Sequence, residues 1–255
     1  MPRPVVLPIF AFLVVAGIAS PLLAKAQELL GLDPNMLRLT VFSTAVGALV
    51  VWSVWRRRLR FPEVTASGLD RSLLLAIAAC LLAIGIAWVL AKAEGAPWRP
   101  PKTGTLGAPL IVVLVVQLLG AAAEEIGWRG IVQPLLETRV SAAVASLVTG
   151  ALFALGHFYL AFAVAPAAFG LFVVSAIAMS MILALATLGR SIGERIVIAT
   201  VLHFLLNMAT LFLFADGDGS VRYFGDLAVA FGVCGVFASI SIARHGRGAV
   251  TWWRP

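Results

Sequence analysis

An all-α membrane bundle of about eight spanning helices is the fold class that three features of the sequence predict. Hydrophobic residues make up 61% of the 255 and charged residues only 12%, with a mean hydropathy of +1.02. A soluble domain of this length could not bury so much apolar surface. Apolar runs recur at the length of a spanning helix, roughly 20 residues, and none shows the ten-residue alternation of an outer-membrane barrel.

The runs fall at 5–24, 36–55, 72–91, 108–136, 142–161, 166–188, 192–214 and 224–243. The first follows Arg3, and the second ends at the basic stretch Arg56, Arg57, Arg58 and Arg60. Arg71 and Lys92 bracket the third. The fourth is apolar from Ala108 to Ala123, meets Glu124 and Glu125, and resumes as Gly130-Ile-Val-Gln-Pro-Leu-Leu136. Its first part has 16 residues, too few to span, so the helix is expected to continue past the acids, bent near Gly127, Gly130 or Pro134. The alternative is that the run ends there and leaves both acids among headgroups. The fifth run carries Phe153 and His157, the sixth stops short of Arg190, the seventh opens with Glu194 and Arg195 and stops short of Asp216, and the eighth precedes Arg244. No soluble domain is left over, so residues 1–255 read as a single integral membrane domain.

Net charge is +7, and in such a chain basic residues orient loops before they suggest a nucleic-acid partner, so none is expected. The cluster around Arg58, with Arg71, outweighs Glu63 and Asp70 and marks a cytoplasmic link that also touches anionic lipid. Eight spans then place both termini inside, together with Arg190, Arg195, Arg244, Arg247 and Arg254. Asp216, Asp218, Arg222 and Asp226 fall outside. Lys92, Arg99 and Lys102 also fall outside, against the rule, with Glu94 a partial offset. Ala24-Lys25-Ala26 has the small-residue spacing of a signal-peptidase site; retention of that segment keeps both termini cytoplasmic. Cys80 and Cys234 sit inside spans and read as packing residues.

A charged side chain near the middle of a spanning helix costs on the order of 3 kcal/mol. The residues that ask for a reason are Glu124, Glu125, Arg129, His157, His203 and Asn207. Glu125 and Arg129 are four apart with the acid first, the favourable order for an ion pair. Glu124 points about 100 degrees away and has no partner in its own helix, which would raise its pKa and suit it to act as a general base. His157 lies one turn beyond Phe153; the alternative is a packed, hydrogen-bonded histidine. His203 and Asn207 share a helix face, and the alternative there is a polar clip between helices. Counted from the cytoplasmic ends at about 1.5 Å per residue, Glu124, His157, His203 and Asn207 lie roughly 20, 24, 17 and 22 Å deep, in one layer.

In this order on three helices, Glu124-Glu125-x-x-x-Arg129, Phe153-x-x-x-His157 and His203-x-x-x-Asn207 resemble the three motifs of the CAAX protease and bacteriocin-processing (Abi) family of intramembrane endopeptidases. Gly127-Trp128-Arg129-Gly130 is similar to that family's wording too. The likeness covers roughly residues 108–215, which would be the catalytic core; Glu194 and Arg195 at the entrance of the seventh run are its loose point. It implies hydrolysis by a glutamate-activated water without a cofactor. Glu124 would be the base, His157 would share the water, and His203 with Asn207 would stabilise the oxyanion. Glu125 and Arg129 would hold the first motif. Substrates would be peptides or membrane proteins, of prenylated CAAX type or otherwise, and the membrane a bacterial or archaeal plasma membrane.

Two alternatives stay open. Glu124, His157 and His203 could ligate zinc, since two imidazoles and a carboxylate form a catalytic zinc shell. Alternatively, the polar layer could serve a non-catalytic bacteriocin-immunity or scaffold protein, because intramembrane ionisable groups also mark binding and transport paths. No His-Glu-x-x-His run supports a zincin helix. Asp216-Gly-Asp-Gly-Ser220 reads as a solvated turn.

Overall fold

A computed structural model describes residues 5–33, 38–95, 108–213 and 220–245. Arg3, Arg99, Lys102, Asp216, Asp218, Arg247 and Arg254, on which part of the orientation reading rests, lie outside them. Among the described residues the regular structure is entirely helical. Runs of Leu, Val, Ile and Ala can satisfy their backbone in an apolar medium only by bonding within the segment, which is what an α-helix does.

The helices are α1 (Val6–Leu29), α2 (Ser43–Trp55), α3 (Arg71–Ala93), α4 (Leu110–Gly127), α5 (Gln133–Glu137), α6 (Ala142–Gly156), α7 (Leu160–Ala163), α8 (Pro166–Thr187), α9 (Ile192–Leu213) and α10 (Val221–His245). A 3₁₀ turn, Leu39–Phe42, leads into α2, where the sequence predicted helix from 36. A π turn, Trp128–Val132, joins α4 to α5, so that Leu110–Glu137 is one 28-residue helix. Six helices are long and apolar enough to cross a membrane: α1, α3, α4 through α5, α8, α9 and α10. Leu39–Trp55 and Ala142–Gly156 are shorter apolar helices, which together account for the eight predicted runs. The protein is therefore an integral membrane protein of all-α class.

Two compact units divide the chain. In the first, which holds α1, α2, α4, α5 and α9 as far as Met208, glycines let backbones approach. A Cβ at Gly47 would come 3.0 Å from Phe12, and one at Gly127 would come 2.9 Å from both the Phe12 ring and Thr44. Trp128 meets Phe12 edge to face at 5.3 Å. Thr44 Oγ1 donates to the Ala123 carbonyl at 2.9 Å, tying α2 to α4 one residue before the two acids. Where the sequence predicts a bend in the fourth run, the structure has the π turn. Pro134 has no N–H to continue the ladder and its ring crowds the carbonyl four residues back. The turn widens just upstream, where the Gln133 N–H bonds the Trp128 carbonyl five residues back.

In the second unit, α8 is packed against α3, α6 and α10 through small residues. A Cβ at Gly150 would lie 2.7 Å from the Ile177 Cα, and one at Gly235 would lie 2.8 Å from the Ala178 Cα. The Ser180 hydroxyl donates to the Ser146 carbonyl at 3.0 Å across the α6–α8 contact. Arg190, almost wholly buried, donates to the Ala186 and Gly68 carbonyls and to Asp70 Oδ1 at 2.9 Å. Asp70 also caps α3 through the Leu73 N–H. At the other end of α3, Glu94 pairs with Arg222 at the start of α10. Each pair joins two links that the span count puts on a common side of the membrane. Cys80 and Cys234 are buried free thiols.

The fifth run departs from its predicted extent of 142–161: α6 ends at Gly156. His157 Nδ1 lies 3.0 Å from the Phe153 carbonyl, the acceptor that the His157 N–H would use in a continuing helix. That N–H bonds Ala154 instead, at 3.0 Å. The last turn is thus tightened to 3₁₀ spacing and the imidazole closes the helix.

Gly150→Ala is expected to lower the thermal unfolding midpoint in detergent, by the equivalent of about 1–3 kcal/mol for overpacking. Gly170→Ala, on α8 with nothing within 4 Å of the new methyl, is expected to raise it slightly. Burial pushes the Asp70 carboxyl up, but the Leu73 N–H, Ser72 and Arg190 outweigh that and hold it below the ordinary carboxylate range. Its contribution is full above pH of about 4 and is lost as pH falls through the depressed value. In an acid unfolding series Asp70→Asn should show a shallower loss of stability than the parent.

Candidate functional site

The last turn of α4, the π turn and the middle of α9 bring four of the predicted residues together within the first unit. Glu125 and Arg129 are fully buried, His203 is 2% exposed and Glu124 is 8% exposed. Arg129 Nη1 lies 3.1 Å from Glu125 Oε2, which is the ion pair that the four-residue spacing predicts. Oε1 accepts from the same Nη1 at 3.3 Å and is 2.8 Å from His203 Nδ1 on α9. His203 Nε2 is 3.8 Å from Glu124 Oε2. One imidazole is thus held between the two adjacent acids. Glu124 thus meets a partner on another helix.

The partners assign the ring's protons. A carboxylate paired with a guanidinium can only accept, so Nδ1 carries the hydrogen and donates it to Glu125. Nε2, the nitrogen toward Glu124, is left for chemistry. Two carboxylates face one permanent cation, so a single proton shared between Glu124 and His203 neutralises the cluster. Asn207, half-buried, lies one turn beyond His203 on α9. Glu125 therefore does more than brace its own helix: it orients the histidine of the third motif.

Phe153 and His157 belong to the second unit. Phe153 is buried, and its ring lies 4.6 Å from the imidazole, with Phe172 of α8 at 5.5 Å on another side. A carbonyl only accepts, so His157 also carries its hydrogen on Nδ1 and a neutral ring presents Nε2 as an acceptor. The two histidines are held by the same nitrogen with different acceptors, one charged and one neutral.

A second buried polar group lies further along the same helices. Gln133 and Arg195 are buried, and Glu137 accepts from both, at 2.8 Å from Gln133 Nε2 and 2.7 Å from Arg195 Nη2. Sequence reading left Glu194 and Arg195 as a loose point. Glu194 completes a capping box with Ser191, which the Ser-x-x-Glu spacing ahead of an apolar run signals, and Arg195 is the partner of Glu137. Nothing in the sequence pairs positions 137 and 195. Among the described residues no three His, Cys, Asp or Glu side chains gather as a metal ion requires; Glu124 and His203 alone would supply two donors.

A family model described as Type II CAAX prenyl endopeptidase Rce1-like matches residues 106–209, the stretch that carries all three motifs. The chain is similar to lysostaphin resistance protein A of Staphylococcus epidermidis, 27% identical over 241 residues that make up 92% of this chain and 62% of that protein. It is similar as well to lysostaphin resistance protein A of Staphylococcus aureus, 23% identical over 247 residues, 93% of this chain and 57% of that one. It thus spans less than two thirds of the length of these relatives. The resemblance carried by the motifs is shown by these matches.

Glu125→Gln would leave Arg129 as a buried charge without its carboxylate. The expected loss is about 3–5 kcal/mol, read as a marked drop in thermal midpoint. Glu124→Gln should keep the midpoint within the equivalent of about 1 kcal/mol, because the Glu125–Arg129 pair stays in place.

Proposed function

We propose that the protein is an intramembrane endopeptidase in which a glutamate activates water. The observation that carries this reading is the imidazole held between Glu124 and the Glu125–Arg129 pair, buried in a helix pair that composition places in the bilayer. Glu124 takes a proton from water, and the resulting hydroxide attacks the carbonyl carbon of the substrate amide. The oxyanion that forms is met by His203 Nε2–H and the Asn207 amide, donors aimed where negative charge develops. Collapse of the intermediate breaks the C–N bond, and the proton taken by Glu124 passes to the leaving nitrogen, with His157 sharing the water and relaying protons. Glu125 and Arg129 hold the His203 ring in orientation through Nδ1–H, and Nε2 donates with the proton it shares with Glu124, which leaves Glu124 ionised to take a proton from water.

The substrate class is a peptide or a membrane-associated protein, with prenylated CAAX-type peptides supported by the description of the matched family. Membrane lipids surround the bundle, the host membrane is a bacterial or archaeal plasma membrane, and both termini are cytoplasmic. No cofactor is required in this reading; zinc on Glu124, His157 and His203 is the alternative. A second reading, a resistance or scaffold protein that does not cleave, takes its support from the name of the staphylococcal relatives.

The test is cleavage of an internally quenched peptide ending in a farnesylated CAAX box by protein purified without chelator, with Glu124→Gln beside the parent. Loss of the general base should lower kcat by about 10²–10⁴-fold. Equal cleavage by both would end the role of Glu124, and stoichiometric zinc in the active parent would replace the metal-free mechanism. No cleavage by either, with equal rescue of a deletion strain, would favour the scaffold.

A further inference from the structure

The Gln133–Glu137–Arg195 cluster lies outside the reacting residues and on the same two helical segments. All three side chains are buried or nearly so, and both Glu137 oxygens are engaged, Oε1 by Gln133 and Oε2 by Arg195. The two segments run antiparallel and are tied twice. One tie is Glu125 to His203 at 2.8 Å, and the other is Glu137 to Arg195 at 2.7 Å. Between them, a Cβ at Gly130 would stand 3.1 Å from the tip of Ile196, so the side chain of one segment packs on the backbone of the other.

The intervals between the ties differ. Glu137 follows Glu125 by twelve positions, whereas Arg195 precedes His203 by eight. At about 1.5 Å per residue these are about 18 and about 12 Å of α-helix. The longer arm holds the π turn and Pro134, where the α ladder is broken. A helix interrupted in this way can settle in more than one register against its neighbour, and a slip of one residue would carry the acids about 1.5 Å along α9. Replacing a buried ion pair by an apolar pair of similar volume is often neutral or stabilising, and the best attested use of such a pair is to fix register.

We propose that Glu137 and Arg195, with Gln133, are positioning residues: a clamp that fixes the register of α4–α5 against α9 and thereby holds His203 between Glu124 and Glu125. The inference deepens the hydrolytic reading and rests on it only for the consequence in rate. The geometry it predicts can be read without a substrate.

The test uses the full chain in detergent with ¹⁵N-labelled histidine. An imidazole Nδ1–H donated to a carboxylate gives a proton resonance far downfield, assigned to His203 by its loss in His203→Gln. Arg195→Lys, which keeps the charge, should leave it in place. Glu137→Gln and the double variant Glu137→Leu/Arg195→Leu should shift or broaden it, at a thermal midpoint that shows the protein folded. The double variant covers the case in which Glu137→Gln fails to fold, because its apolar pair leaves no buried charge. On the CAAX peptide the same breaking variants should lose on the order of tenfold to a hundredfold in kcat with KM within about twofold, as a misplacement of about 1 Å would give. An unchanged His203 signal in the folded double variant overturns the clamp. A signal that follows the clamp in a parent that cleaves nothing sinks the hydrolytic reading and leaves the clamp standing.

Discussion

The buried pair of Glu125 and Arg129 is the constraint from which the rest of the first unit follows. Neither side chain has any exposure, and neither could remain charged in an apolar helix without the other. Their attraction fixes one face of the helix. The Glu125 oxygen that accepts from Arg129, Oε1, also meets His203. A local solution to a burial problem thus becomes the device that orients a histidine on another helix, and Glu124, next in sequence but turned to another face, meets the opposite side of that ring.

Small residues and a broken ladder make this possible. Gly127 lets Phe12 and Thr44 close on the end of α4, and Thr44 bonds the carbonyl of Ala123. Trp128 packs on Phe12. The π turn enforced by Pro134 opens the helix where Arg129 must lie inside it. Each residue of Gly127-Trp128-Arg129-Gly130 therefore has its own packing or pairing partner in the fold, and the wording of the motif is a list of contacts made by one helical turn.

The second unit reaches close packing by other means. Gly150 and Gly235 admit the α8 backbone, serine hydroxyls bond across the contact, and Asp70–Arg190 and Glu94–Arg222 tie the two ends of α3 to neighbours. His157 ends α6 by taking a carbonyl that the backbone would otherwise use. Its ring is thereby held at a helix terminus, among Phe153, Tyr159 and Phe172, where the chain is free to turn.

Composition and run length alone determined the class of this protein, because apolar segments near 20 residues have one stable conformation in a membrane. Helical period was enough to pair Glu125 with Arg129 and to set Glu124 apart, since neighbours three and four positions away are fixed by the helix itself. The order of the motifs carried the family resemblance. Only tertiary structure decided that Glu125 holds His203, that Glu137 meets Arg195, and that α6 stops at Gly156. The first two join residues 78 and 58 positions apart, on helices whose mutual register no local pattern encodes. The third depended on which donor won the Phe153 carbonyl, a competition between a backbone N–H and an imidazole of the same residue that periodicity cannot see.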